Sequence, residues 1–140
     1  MRVVGVDLGT RRVGLARSDP SGRLASPWRV LHRTGDHAAD RRALAEAVQE
    51  AEAATVVVGM PLSLDGRRGP AAQRAEMEIA ALRAALEPHH VAVETVDERM
   101  TTVSAQAALR AAGIRGRRHR DVIDAAAAAV LLQAWLDGSR

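Results

Sequence analysis

The chain contains no cysteine, no lysine, no tyrosine and no phenylalanine, and its only large aromatic side chains are Trp28 and Trp135. Without cysteine there can be no disulfide and no thiolate metal site, which suits a reducing cytoplasm. So few aromatic rings argue against a surface that binds nucleic acid by base stacking, such as an RRM or a single-strand OB-fold. No apolar run approaches the length of a bilayer span, so no membrane partner is expected. The opening Arg2-Val3-Val4-Gly5-Val6 reads as a strand and not as a basic region followed by an apolar leader. There is no internal repeat, no low-complexity linker and no composition break.

What remains is an ordinary globular inventory. The chain has 140 residues, 47% hydrophobic and 26% charged, enough for one well-formed core and too few for two full-sized domains. A single domain over 1–140 is therefore expected. The net charge is only +3, yet the sequence pI is about 11.0, because all 20 basic residues are arginine. Codon bias in a GC-rich genome accounts for that composition; so does selection of guanidinium forks, which bind phosphate oxygens two at a time. The clusters Arg11-Arg12, Arg67-Arg68 and Arg115 to Arg120 favour the second account locally, since all three fall in expected loops.

Periodicity orders the elements as βββ–α–β–α–β–α–α. Arg2–Leu8, Val13–Ser18 and Pro27–Leu31 read as strands with tight connections, hence an antiparallel meander. Asp36 to Glu52 carries helical spacing, and the β-branched run Ala54–Gly59 reads as a strand covered on both faces. A helix begins near Pro70 and runs to about Leu86, and Val91–Val96 is a further buried strand. Thr101 or Thr102 caps a helix to Ala112, and Asp121 or Val122 begins a last helix ending at Trp135 or Leu136. The fold class is α/β: a mixed five-stranded sheet, three antiparallel strands followed by two parallel ones, flanked by helices.

Three carboxylates stand out against this pattern. Asp7 ends a buried strand, where an unpaired charge is costly; the alternative is an Asp accepting backbone N–H groups in a turn. Glu98 follows the strand ending in Val96-Asp97, where a solvated charge cluster is the alternative. Asp124 sits in Val122-Ile123-Asp124-Ala125-Ala126, close to the expected helix start, where the helix dipole alone would favour an anion. Three carboxylates converging without a basic partner repel one another, and a hard divalent cation removes that cost. Oxygen-only ligands suit Mg²⁺ or Mn²⁺, and two such ions can activate water and stabilise the leaving oxygen in phosphodiester hydrolysis.

At these residues the sequence resembles a known family. Val-Asp-Leu-Gly-Thr-Arg-Arg-Val-Gly-Leu-Ala (6–16), Val-Val-Gly-Met-Pro-Leu-Ser-Leu-Asp-Gly (57–66), Asp-Glu-Arg-Met-Thr-Thr (97–102) and Ile-Asp-Ala-Ala-Ala-Ala-Ala-Val-Leu-Leu (123–132) are similar to the YqgF/RuvX family. The likeness spans nearly the whole chain, with the motifs in the family's order. It implies an RNase H-like fold related to the RuvC resolvases. It also implies a nuclease acting at the 5′ end of precursor 16S rRNA, with Holliday-junction resolution as the alternative. It places catalytic metal ligands at Asp7, Glu98 and Asp124, the three residues already selected.

Supporting roles follow. Gly9 lets backbone or substrate approach, with Thr10 beside it. Arg11, Arg12, Arg67, Arg68, Arg99, Arg117 and Arg118 are candidates to grip a nucleic-acid backbone, although Arg99 in a salt bridge or Arg67 and Arg68 in a solvated loop would look the same. Asp121 is expected to cap the last helix; facing the same side as Asp124 is its other possibility. Trp28 and Trp135 are expected in the core, and His119 is a minor candidate for proton transfer. Two rivals stand outside the nuclease class. An ATP-binding protein of the actin/Hsp70/sugar-kinase type would need a second glycine-rich phosphate motif and a second domain, which the sequence lacks. A non-catalytic ribosome-assembly factor would keep the fold and lose the activity. No apolar stripe is left over to specify a dimer, so monomer and homodimer both stand.

Overall fold

The computed structural model describes residues 1–61, 67, 69–98 and 116–138. The chain forms strands β1 (Arg2–Leu8), β2 (Arg12–Ser18) and β3 (Ala25–His32), helix α1 (His37–Glu50) and strand β4 (Ala53–Met60). Helix α2 (Pro70–Leu86), a 3₁₀ turn (Glu87–His89), strand β5 (Ala92–Asp97) and helix α3 (Gly116–Gly138) follow. The five strands make one sheet in the order β3-β2-β1-β4-β5. β1 pairs antiparallel with β2, and β2 with β3; β1 pairs parallel with β4, and β4 with β5. The expected three-plus-two mixed sheet is what forms. The expected helix from Thr101 or Thr102 to Ala112 lies outside the described residues.

Each strand of the centre sends alternate residues to two different cores, because successive side chains point to opposite faces. Val4, Val6, Leu15, Val56 and Val58 pack with Leu44 and Val48 of α1 and Ile79 and Leu82 of α2. Val3, Ala16 and Val57 pack with Ala128, Leu131, Leu132 and Leu136 of α3. Both faces of β4 are thus covered, as its unbroken Val56-Val57-Val58 run requires. Helix α1 is capped by Asp36, whose side chain accepts from the Ala39 N–H at 3.1 Å. Helix α2 opens on Pro70, whose missing N–H costs nothing in a first turn.

Helix α3 packs closely on its face of the sheet. A Cβ built on Gly5 would lie 2.7 Å from Leu132 Cβ, one on Gly14 would fall on the Asp124 carbonyl, and one on Gly59 would meet Leu131. Glycine at these positions lets the helix axis come down onto β1, β2 and β4. Ala125, Ala127 and Ala128 supply the matching small side chains on the helix.

Helix α3 also starts earlier than the sequence suggested. It begins at Gly116, so Arg117 and Arg118 lie in its first turn and not in a loop. Arginine is a good helix former, so a segment this dense in charge can be helical and not irregular. Asp121 is consequently inside the helix and does not cap it. Asp124 lies in the third turn, well beyond the reach of the positive helix end.

Candidate nucleic-acid cleavage site

Asp7 and Asp124 are brought near one another by pairing and packing. In the β1–β2 ladder Asp7 stands opposite Gly14, and Gly14 is the residue against which the Asp124 backbone rests. Both therefore lie on the α3 face of the sheet. Glu98 arrives from the other side. It follows β5, whose Val96 pairs with Gly59, and its carboxyl lies over Gly59, 3.2 Å from where a Cβ would stand. Of the three glycines that seat α3, Gly14 admits the backbone of Asp124 and Gly59 makes room for the Glu98 carboxyl.

The Glu98 carboxyl is hydrogen-bonded to that of Asp7, and its pKa is pushed from 4.5 to about 8. Burial is the main cause, followed by the hydrogen bond to Asp7 and the charges of Asp7 and Asp97. Two carboxyl groups that hold a proton between them mark a place where positive charge is wanted. Their all-oxygen donor set fits Mg²⁺ or Mn²⁺. Asp124 is engaged differently: Arg12 Nε donates to its Oδ2 at 2.5 Å. Among the described residues no three carboxylates or imidazoles come together closely enough to hold one ion. The structure thus joins Asp7 to Glu98 and keeps Asp124 on an arginine, so the expectation of carboxylates without a basic partner is corrected. The reason is local: Arg12, Gly14 and Ala16 alternate onto the α3 face, and the side chain two residues before Gly14 meets whatever that glycine admits.

A proton held by Glu98 makes stability depend on pH. Between about 4.5 and about 8 the folded chain keeps a proton that the unfolded chain has released, so stability falls as pH rises through that window. The metal-free protein is expected to lose melting temperature steadily from pH 5 to pH 8.5 at fixed ionic strength. Glu98→Gln should flatten that slope, and Mn²⁺ added to the wild type at pH 8 should restore what was lost. Parallel slopes for wild type and Glu98→Gln would refute the assignment.

The turn after Asp7 is braced from outside. Gly9 N–H donates to the Arg12 carbonyl at 2.9 Å, and the Arg33 N–H to the Arg11 carbonyl at 2.9 Å. Arg33 Nε donates to the Gly9 carbonyl at 2.8 Å, while its other arm reaches both oxygens of Glu78 on α2 at 3.1 Å. A Cβ on Gly9 would fall on the Arg12 carbonyl, so the close approach expected there is present. Sequence reasoning missed Arg33 and Glu78, and nothing in their local pattern pointed to them. It also missed Gly5, Gly14 and Gly59, which were legible: small residues recurring on one face of neighbouring strands signal a close-packed helix.

The remaining predicted residues divide plainly. Arg11 and Thr10 are exposed beside the braced turn, and Arg67 is exposed in the segment before α2. Arg68 and Arg99 lie outside the described residues, and Arg117 and Arg118 are placed on the first turn of α3. Asp121 Oδ2 lies 3.3 Å from His32 Nε2, and its Oδ1 is buried without a hydrogen-bond partner. Trp28 packs on the core formed with α1 and α2, and the guanidinium carbons of Arg17 and Arg29 stand over its ring, 5.1 and 4.0 Å from the ring centre. Trp135 packs on the core beneath α3. A cleft lined by Leu8, Val13, Leu31, Leu44, Ile79 and Leu82 opens on the opposite face, between α1 and α2, away from the carboxylates. No helix among the described residues is long and apolar enough to cross a membrane.

Comparison with known proteins places the chain in a family. The family model described as "RuvX: Holliday junction resolvase" matches residues 1–138. A Mycobacterium ulcerans protein named "Putative pre-16S rRNA nuclease" is 48% identical over 141 residues, covering 99% of this chain and 80% of the relative. A Rhodococcus opacus protein of the same name is 45% identical over 139 residues, covering 97% and 77%. Among solved structures, Thermus thermophilus RuvC in complex with a Holliday junction substrate superposes with a TM-score of 0.64 at 16% identity, covering 99% of this chain and 96% of that one. The yeast mitochondrial Holliday junction resolvase gives 0.57 at 13% identity, covering 96% and 77%. These two likenesses establish the fold as that of the RuvC-like, RNase H-type resolvases. By the family match and the relatives' identity together, the chain belongs to the RuvX family.

Proposed function

We propose that this chain is a divalent-metal-dependent nuclease, formed as one domain over 1–140, that trims the 5′ end of precursor 16S rRNA in the cytoplasm. The observation that carries this reading is the Asp7–Glu98 carboxyl pair over Gly59, with Asp124 seated by Gly14 on the same face of the sheet. Asp7, Glu98 and Asp124 would hold Mg²⁺ or Mn²⁺, and a cation bound there supplies an activated water and charge for the leaving oxygen. The chain's own part is to orient. The braced Gly9 turn holds Asp7 at the end of β1, and burial keeps Glu98 from being solvated away from it. Arg11 and Arg67, both exposed, are candidates to take the backbone of a substrate, with Arg68, Arg99, Arg117 and Arg118 as further candidates. Precursor rRNA is preferred as substrate because relatives 45% and 48% identical to this chain carry that name. Branched DNA is the second reading, favoured by the family description and by the fold of its neighbours.

The test compares a precursor 16S rRNA 5′ segment, single-stranded RNA, single-stranded DNA and a four-way junction, each with Mn²⁺ or Mg²⁺. Preferential cleavage of the rRNA segment is expected. Preference for the junction would shift the substrate to DNA, and activity on none would favour an assembly factor without catalysis. Binding should weaken about tenfold or more between 50 and 200 mM salt if several arginines hold phosphates. A flat response would remove them from the interface.

A further inference from the structure

Asp124 is not waiting free for a cation. Arg12 Nε meets its Oδ2 at 2.5 Å, with side-chain exposures of 25% for the arginine and 21% for the aspartate. The pair sits where β2 and α3 are pressed together at Gly14, so it is shielded on one side by the sheet and on the other by the helix. Asp7 lies directly across the ladder from Gly14, two residues along β2 from Arg12, and Arg12 and Gly14 share the α3 face, so the pair borders Asp7 on its β2 side. A charge-assisted hydrogen bond of this kind is among the stronger polar contacts a protein makes.

We infer that Arg12 is the built-in counter-ion of this site: it neutralises Asp124 while no divalent cation is bound, and it must release that carboxylate when one binds. This rests on the reading of Asp124 as a metal ligand. Two consequences follow. Metal binding is a competition, so the chain binds metal more weakly than its carboxylates alone would. The guanidinium set free is a planar fork suited to a phosphate, so a nucleic-acid backbone that occupies Arg12 stabilises the metal-bound arrangement, and metal strengthens substrate binding by the same factor. Arg12 is then a positioning residue that couples the two ligands.

The experiment titrates Mn²⁺ alone into wild type, Arg12→Gln, Arg12→Lys, Asp124→Asn and the Arg12→Gln/Asp124→Asn double variant, following bound metal by calorimetry and fold by circular dichroism. Removing Arg12 leaves the carboxylates with a repulsion that only a cation relieves, so Arg12→Gln is expected to bind Mn²⁺ about tenfold more tightly. Arg12→Lys should stay near wild type. Asp124→Asn should bind Mn²⁺ more weakly, and in the double variant the gain from Arg12→Gln should vanish. Unchanged or weaker Mn²⁺ binding by Arg12→Gln, beside weakened binding by Asp124→Asn, overturns the counter-ion role and leaves Asp124 a ligand. Unchanged binding by Asp124→Asn overturns the ligand assignment itself. Arg12→Met, which keeps the stem that packs between β2 and α3, repeats the measurement should Arg12→Gln fail to fold.

Discussion

Asp7→Asn, Glu98→Gln and Asp124→Asn are each expected to lower metal-dependent cleavage by about a hundredfold or more while the chain stays folded. Each exchange keeps the volume of the side chain and removes its charge, so the packing of α3 on the sheet is left as it is. What is lost is an anionic oxygen donor, which an amide replaces poorly for a hard cation. Glu98→Gln is the most informative of the three. The buried Glu98 carboxyl is a liability to the metal-free fold at neutral pH, because burial and Asp7 both oppose its ionisation. The amide should therefore melt no lower than wild type even as cleavage disappears. Single-turnover cleavage of the rRNA segment, with melting temperature measured on the same preparations, separates the two effects. Undiminished cleavage by any one variant removes that residue from the site; a parallel loss of fold and activity would make its role structural.

The second large effect is steric. Gly14→Val is expected to destabilise the fold by about 3 kcal/mol, a large part of the 5–15 kcal/mol typical of such a domain. The added Cβ would fall on the Asp124 carbonyl oxygen, which is backbone inside a helix and cannot swing aside as a side chain would. Relief requires α3 to lift from β2, which opens the core of Ala16, Val57, Ala128, Leu131 and Leu132. The Arg12–Asp124 contact would go with it. Gly138→Ala is the control, since nothing lies within 4 Å of its added methyl, and it should stay within about 0.5 kcal/mol of wild type. Urea denaturation of the three chains decides the matter; equal midpoints for Gly14→Val and Gly138→Ala would mean that α3 does not depend on that close approach.

The strands were readable because their signals are local. Val56-Val57-Val58 reports a strand with two covered faces, and Gly9 and Pro70 punctuate the chain where a turn and a helix need them. Asp7 was readable for a related reason: a charge inside an apolar strand needs a partner wherever the strand goes. The start of α3 was not readable, since six residues as basic as Arg115 to Arg120 look like solvated loop until a sheet lies beneath the rest of the helix. Asp121 was misplaced as a cap in consequence. The Arg12–Asp124 pair was the least accessible of all. Its partners stand 112 residues apart, and only the absence of a side chain at Gly14, seen in three dimensions, brings them together.

Helix α3 is the last described element of the chain, yet it roofs the first strand. A ribosome making this protein from its N-terminus finishes all five strands, with Asp7 and Glu98 in place, before it has made the residues that cover them. Until α3 arrives, the glycine-lined face with Val3, Ala16 and Val57 is open to water, and the third carboxylate does not exist. With Asp124 as the proposed third ligand, the nascent chain lacks its full site until α3 has been made. On the proposed reading, a nuclease for ribosomal RNA would be assembled on a ribosome without being able to cut it until α3 has been translated and has docked.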